Sequence, residues 1–511
     1  MPDDLRNGLW FIGWVVALAA LFVVGLRLPL MTRLRRLAAA VYAGAVVLAV
    51  VALTFLANVA LARHDVHLDL TRERTFTPSR QAVEVVRALD REVRLTYFYH
   101  ARDEAGRRAK HVVEVLGRAS PHLSVRTVDP DRQPRLAETY GVRLYNAAVI
   151  ETDGRRVQVM GTDENDFALG IQRALRQRVT SVCFMEGHGE YPFDNFEFHT
   201  HLEAGSAHSH GDKSAAVVQM PGHGAGRLRR ALEALGFETR RIVPATLSTI
   251  PRDCAVVVAV NPRTAYLPAE SDLLASYLAG GRAALLLYDL GFVVERRLAG
   301  LLERLGMRLE QEIVIDPLDH YSTDHETVAV PVYEPHPITA RVALTFYPGV
   351  RPLTLLPPPP GVTVTPLVRS SKQSFSRPVP PVGAEAVARA GAADPTAATS
   401  GRRGPHVLAV AVEGRWPEAA SGARPFRVVV AGDGDFASNS FLPYMANSDL
   451  LLSMVRWLVH EEDAPKVRPA VSVPPMVLLT TRQMQEIFLA LEGLLPLGVV
   501  AVGAVVWWRR R

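Results

Sequence analysis

The sequence is poor in cysteine, with only Cys183 and Cys254 in 511 residues. No C-x-x-C pattern can be written with them, which excludes a redox-active dithiol and a cysteine-built zinc centre. Each opens an apolar run, SVCFMEG and DCAVVVAV. We read both as free buried thiols, the alternative being that two neighbouring strands pair them in an oxidising compartment. Also missing is G-x-x-x-x-G-K-[ST]: His210-Gly-Asp-Lys213-Ser214 lacks the first glycine at the required distance, so the chain carries no phosphate-binding loop for nucleotide hydrolysis. The absence of G-x-S-x-G and of H-E-x-x-H removes support for a nucleophile elbow and for a zinc-protease helix. Charge of one sign is not in large excess. The net charge is +5, part of it in arginines flanking apolar runs, and no basic helix interleaved with aromatics is present, so nucleic acid is excluded as a partner.

What the chain does have is long apolar runs near both ends. Leu37 to Ala62 carries no charge and only Asn58 as a strongly polar residue. That exceeds the roughly 20 residues a helix needs to cross a bilayer core. Leu9 to Leu26 and Ile487 to Trp508 are similar, the first with Trp10 and Trp14 near its start. Arg27, Arg33, Arg35 and Arg36 lie between the first two runs, and Arg509, Arg510 and Arg511 follow the third. By the positive-inside bias, 27–36 and 509–511 are cytoplasmic, and 1–8 and 63–486 are outside. A cleaved signal peptide fits the first run less well, because Pro2 to Arg6 is mildly acidic and no small-residue cleavage site precedes Arg27. The expectation is therefore three transmembrane helices, 9–26, 37–62 and 487–508, in a multi-pass protein of the inner membrane whose lipid contacts them. Glu492 and Pro496 fall near the outer end of the third.

Between the anchors, strand and helix patterns alternate, which indicates α/β architecture. Thr77 is read as the N-cap of a helix beginning at Pro78. The order β-α-β-α-β-β-α follows, with a hairpin turn at Asp153-Gly154. That order resembles the thioredoxin fold over 63–178, with His100-Ala101-Arg102-Asp103 where the dithiol would stand, so the resemblance implies a degenerate, non-redox module. From Val179, continuous apolar strands alternate with amphipathic helices, as in a flavodoxin-like or class I amidotransferase-like parallel sheet covered on both faces. That module is expected to occupy 179–351 and 406–463. Between them, 352–405 is read as a mobile excursion because of Pro357 to Pro360 and the Ala/Pro/Gly/Ser-rich stretch after Pro378. A proline-rich tether, 464–486, returns to the third run.

Several segments together resemble the GldG-type auxiliary components of ABC transport systems, a family named from gliding motility. They are LTRERTFTPS at 70–79, Glu186-Gly-His-Gly-Glu190, the stretch Ala255 to Leu287 with Pro268-Ala-Glu270 and Gly280-Gly281, Glu334-Pro335-His336-Pro337-Ile338-Thr339, Gly432 to Asn439, and Asn447-Ser448-Asp449-Leu450. The resemblance implies a non-enzymatic, periplasm-facing partner of separate ABC permease and ATPase subunits. It supplies no cofactor and no catalytic residue. Phe196 to Gly224 and the stretch after Ser376 depart from the family pattern as insertions.

Three groups of residues merit a chemical reading. His199, His201, His208 and His210, with His223, are weak metal candidates, since His-x-His pairs can offer two imidazoles to one ion. Their Gly/Ser/Ala-rich setting favours a solvated loop. Glu186, His188 and Glu190 form one turn after a strand; Asp433, Asp435 and Asn439 form another. Such turns are where open α/β sheets build ligand sites, for a small molecule or an envelope glycan, although tight Asx-type turns explain them structurally. The competing functions are a membrane-anchored metal-dependent hydrolase using 186–223 and an extracytoplasmic ligand- or glycan-binding receptor.

Overall fold

The computed structural model describes residues 42, 44–46, 48–50, 52–56, 77–176, 179–197, 224–321, 324–379, 401–417, 422, 424–462 and 487–510. The chain divides into two compact units, Met1–Thr75 and Phe76–Arg511. The second holds both main sheets.

Its first sheet has the strands β1 (Val93–Phe98), β2 (Leu123–Val128), β3 (Ala147–Thr152) and β4 (Arg155–Met160), in the order β2-β1-β3-β4. β1 and β2 are parallel; β3 is antiparallel to β1 and to β4. Asp153 and Gly154 both take positive φ, 47° and 74°, as the two-residue turn between β3 and β4 demands. The helix expected from Pro78 instead spans Arg80–Arg87, because the Ser79 hydroxyl, not Thr77, accepts the Ala82 N–H at 3.2 Å. Asp103 caps Glu104–Arg118 by accepting from the N–H groups of Ala105 and Gly106.

The central sheet is built on β5 (Ser181–Met185), β6 (Glu238–Ile242), β7 (Cys254–Val260), β8 (Ala283–Leu287), β9 (Met307–Leu309), β14 (Leu353–Leu355), β15 (Val362–Arg369), β17 (Val407–Gly414) and β18 (Phe426–Ala431). β10 (Glu312–Ile315), β11 (His320–Tyr321), β12 (Asp324–Val330), β13 (Thr345–Pro348) and β16 (Phe375–Pro378) form two smaller sheets. The order is β6-β5-β7-β8-β18-β17-β14-β9, with β15 also paired to β17. From β6 to β18 every pairing is parallel; β17, β14, β15 and β9 join antiparallel. The wholly parallel sheet expected from the sequence is thus corrected to a mixed one. Side-chain alternation shows how its faces are filled. Val256, Val258, Leu285 and Val429 share one cluster with the helices Gly226–Ala234 and Asn447–Leu458. Val257, Ala259, Leu286 and Val430 share the other with Pro268–Ala279 and Arg296–Arg304. Burial of each such valine or leucine contributes roughly 1.5–3 kcal/mol.

The first cluster also takes in the first sheet: Phe167, Ile171 and Ala174 belong to the same core as Leu228, Leu232 and Phe237. The guanidinium of Arg176 lies over Phe237 and donates to both carboxylate oxygens of Glu461 at 2.8 and 2.6 Å.

Further expectations are corrected here. Cys183 and Cys254 are not free thiols but a disulfide, on the adjacent strands β5 and β7. The stretch 352–405, read as mobile, contains β14, β15 and β16. The membrane spans are overturned: among the described residues no helix is long and apolar enough to cross a membrane. At the C-terminal run, a turn of π-helix at Leu489–Leu494 precedes an α-helix of 16 residues, Leu495–Arg510. Span 37–62 is described only in part, and 9–26 lies outside the described residues. The fold class is therefore mixed α/β without an observed span, and a multi-pass inner-membrane location loses its structural basis.

Candidate functional site

Because β5, β7, β8 and β18 run parallel, their carboxyl ends open on one edge of the sheet. The chain continues from them into Glu186–Tyr191, Asn261, Tyr288–Asp289 and Gly432–Asp435. The ladder persists past the strand ends: Tyr191 N–H donates to Val260 O, Asn261 N–H to Leu287 O and Tyr288 N–H to Ala431 O, at 2.9 to 3.0 Å. β6 and β7 flank β5 on opposite sides, so the strand order reverses beside Glu186–Tyr191, the position where open sheets leave a crevice.

Asp289, Asp433 and Asp435 meet at this edge, each offering one carboxylate oxygen within 4.8 Å of the others. Asp433 is wholly buried; its Oδ1 accepts the N–H groups of Asp435 at 2.6 Å and Phe436 at 3.4 Å. Asp289 Oδ1 accepts from Leu290 N–H at 2.6 Å. Asp435 Oδ1 accepts from the Tyr191 hydroxyl at 2.5 Å and from Asn261 Nδ2 at 2.9 Å. Burial first, and repulsion between the acids second, hold Asp289 and Asp433 well above the usual carboxylate range. Burial also raises Asp435, against the pull of Tyr191 and the charge of Arg263. The glycines set the geometry: a Cβ on Gly432 would stand 1.9 Å from Arg351 O, and one on Gly434 2.6 Å from Asn261 Cβ. The buried Arg351 donates to the carbonyls of Glu310, Asp289 and Phe292 and to the side chain of Gln311. Burial lowers its pKa to about 10.

Beside this cluster, the Glu186–Glu190 turn is held from both sides. Gly187 and Gly189 have φ of 132° and 76°, a conformation glycine adopts without steric cost. His188 Nε2 lies 2.8 Å from Glu270 Oε2, and the same carboxylate oxygen accepts the Leu267 N–H that opens its helix. Glu190 Oε2 accepts the His188 N–H at 2.7 Å, while Glu190 Oε1 and Glu270 Oε1 are buried without a hydrogen-bond partner. Burial raises the Glu190 pKa.

The other sequence candidates divide. Glu186 accepts from Phe193 N–H and faces Arg241, as a turn residue would. Asn439 is a clamp: its Nδ2 donates to Asn195 O at 2.7 Å and Glu197 O at 3.0 Å, and its Oδ1 accepts Arg227 N–H at 2.8 Å. It thereby holds together the two ends of the histidine-rich stretch. His199, His201, His208 and His210 lie outside the described residues. Tyr191, Asn261, Glu270, Asp289 and Arg351 escaped the sequence reading. Asn261 and Asp289 carried a usable signal, since each directly follows an apolar run just as Glu186 and Asp433 do.

Residues 180–454 match a family model described as an ABC-type uncharacterized transport system, over half of the 511-residue chain. No curated protein matches it. Among solved structures, the mmIFT52 N-terminal domain is 13% identical with a TM-score of 0.35, the match covering 54% of this chain and 97% of that one. Fasciola hepatica thioredoxin is 24% identical with a TM-score of 0.16 and shares of 16% and 81%. A thioredoxin variant from Halobacterium salinarum is 28% identical, also at 0.16, with shares of 20% and 91%. At such scores these likenesses bear on neither fold nor function.

Proposed function

Because the chain belongs to the ABC-type uncharacterized transport system family, we propose that it is a non-enzymatic auxiliary subunit of GldG type, docking outside the cytoplasm on a transporter made of separate permease and ATPase subunits. The observation that carries this reading is the family match over 180–454, which takes in the entire parallel half of the sheet and its carboxyl edge. The missing phosphate-binding loop supports it, since energy must then come from another subunit. The Cys183–Cys254 disulfide supports the compartment, because such bonds persist where thiols are not kept reduced. In this reading the segments 77–176 and 179–462 serve as one docking body. The turns carrying Glu186, His188, Glu190, Asp433 and Asp435 face the partner or a small-molecule or glycan ligand, and Asn439 fixes the loop beside them.

Recovery of the tagged full-length chain from its native cells tests the proposal. ABC permease and ATPase subunits should accompany it in stoichiometric amounts. Recovery alone, under conditions that keep an unrelated permease and its ATPase together in the same preparation, would overturn the reading.

A further inference from the structure

We propose that Asp289, Asp433 and Asp435 form a binding site for one hard divalent cation of the magnesium or calcium class, at the carboxyl edge of the parallel strands. The inference stands on local geometry and does not depend on the transporter role. The three carboxylates lie just past the carboxyl ends of two parallel neighbours, β8 and β18, and each brings an oxygen within 4.8 Å of the other two.

Convergence of acids alone would not suffice; the second observation is the free valence of Asp433. Its side chain is wholly buried and its Oδ1 is occupied by two backbone N–H groups, but its Oδ2 has no hydrogen-bond partner. A buried carboxylate oxygen left without a donor has lost its hydration with nothing in exchange. A cation among the three acids offsets that loss and their mutual repulsion together. Arg351 does not perform this task through its hydrogen bonds, which go to the carbonyls of Asp289, Phe292 and Glu310 and to Gln311. The donor set is oxygen only, which selects hard cations over zinc or copper. Asp435 is the least buried of the three. The rival account is that protons shared between the carboxyl groups neutralise the cluster, in which case no ion binds.

The experiment uses the full-length chain with His199, His201, His208, His210 and His223 all changed to alanine, so that the histidine-rich stretch contributes nothing. After chelator treatment at neutral pH, Mn²⁺ is added and the free ion is followed by electron paramagnetic resonance. One Mn²⁺ per chain should bind, Mg²⁺ or Ca²⁺ should displace it, and Asp433→Asn should weaken it by more than about tenfold while leaving metal-free circular dichroism unchanged. Absence of saturable binding up to millimolar Mn²⁺, or equal binding by Asp433→Asn, would overturn the site. Should Asp433→Asn not fold, Asp435→Asn replaces it under the same two criteria.

Discussion

Asp166 lies on the helix Glu164–Leu175, partly buried, with Asp163 and Glu164 beside it. Burial first and those two charges second raise its carboxyl from 3.8 to about 6. A folded-state pKa above the unfolded value means that the native chain binds the proton more tightly. Its contribution is then fully present below about pH 4 and is lost as pH rises through about 6. Asp166→Asn should therefore stabilise the protein at neutral pH, by about 1 kcal/mol once solvent screening of this half-buried group is allowed for. The gain should fade on acidification, as urea titrations at several pH values will record. The same scale shows where single residues were legible. Glu186, His188, Asp433 and Asp435 stood out because glycines isolate them in short turns after apolar runs. Asp289 also follows an apolar run, but no glycine sets it apart between Tyr288 and Leu290, and its place beside Asp433 comes only from the parallel pairing of β8 with β18.

Strands and helices were more readable than their pairing. Val93–Phe98 and Phe426–Ala431 fall where apolar periodicity puts them, because each is bounded by turn or cap residues. The antiparallel half of the sheet was not foreseen. Pro352 precedes β14, Pro366 lies within β15 and Pro357 to Pro360 lie between them, a composition that reads as an irregular coil; their order comes from β17 and β9, which supply partners distant in sequence. Two glycines give the element scale a test. Gly432, just past β18, leaves no room for a methyl group beside Arg351 O, so Gly432→Ala must displace backbone and should cost about 2–4 kcal/mol. Gly300, inside the helix Arg296–Arg304, has no neighbour within 4 Å of a built Cβ. Gly300→Ala should instead stabilise by about 0.5–1 kcal/mol. Denaturant midpoints of the two variants should move in opposite directions.

At the scale of the molecule, the sequence reading divided the region after the first 75 residues into modules, and the structure joins them. Phe167 and Ile171 share a core with Leu228 and Leu232, and Arg176 reaches Glu461 across 285 residues. Neither link has a local signature, because partners so distant in sequence leave no periodicity to read. The disulfide is similar: Cys183 and Cys254 are 71 residues apart, and only the parallel pairing of β5 and β7 brings them together. That bond and the family match carry the central claim, that the chain works by contact with a transporter outside the cytoplasm. A membrane-impermeant, amine-reactive cross-linker applied to intact cells tests it most directly, with the exposed Lys372 as one amine within reach. The account predicts a covalent product containing this chain and an ABC permease subunit before lysis. Lys372 labelled only after the cells are broken open, with no permease product at any stage, would contradict it.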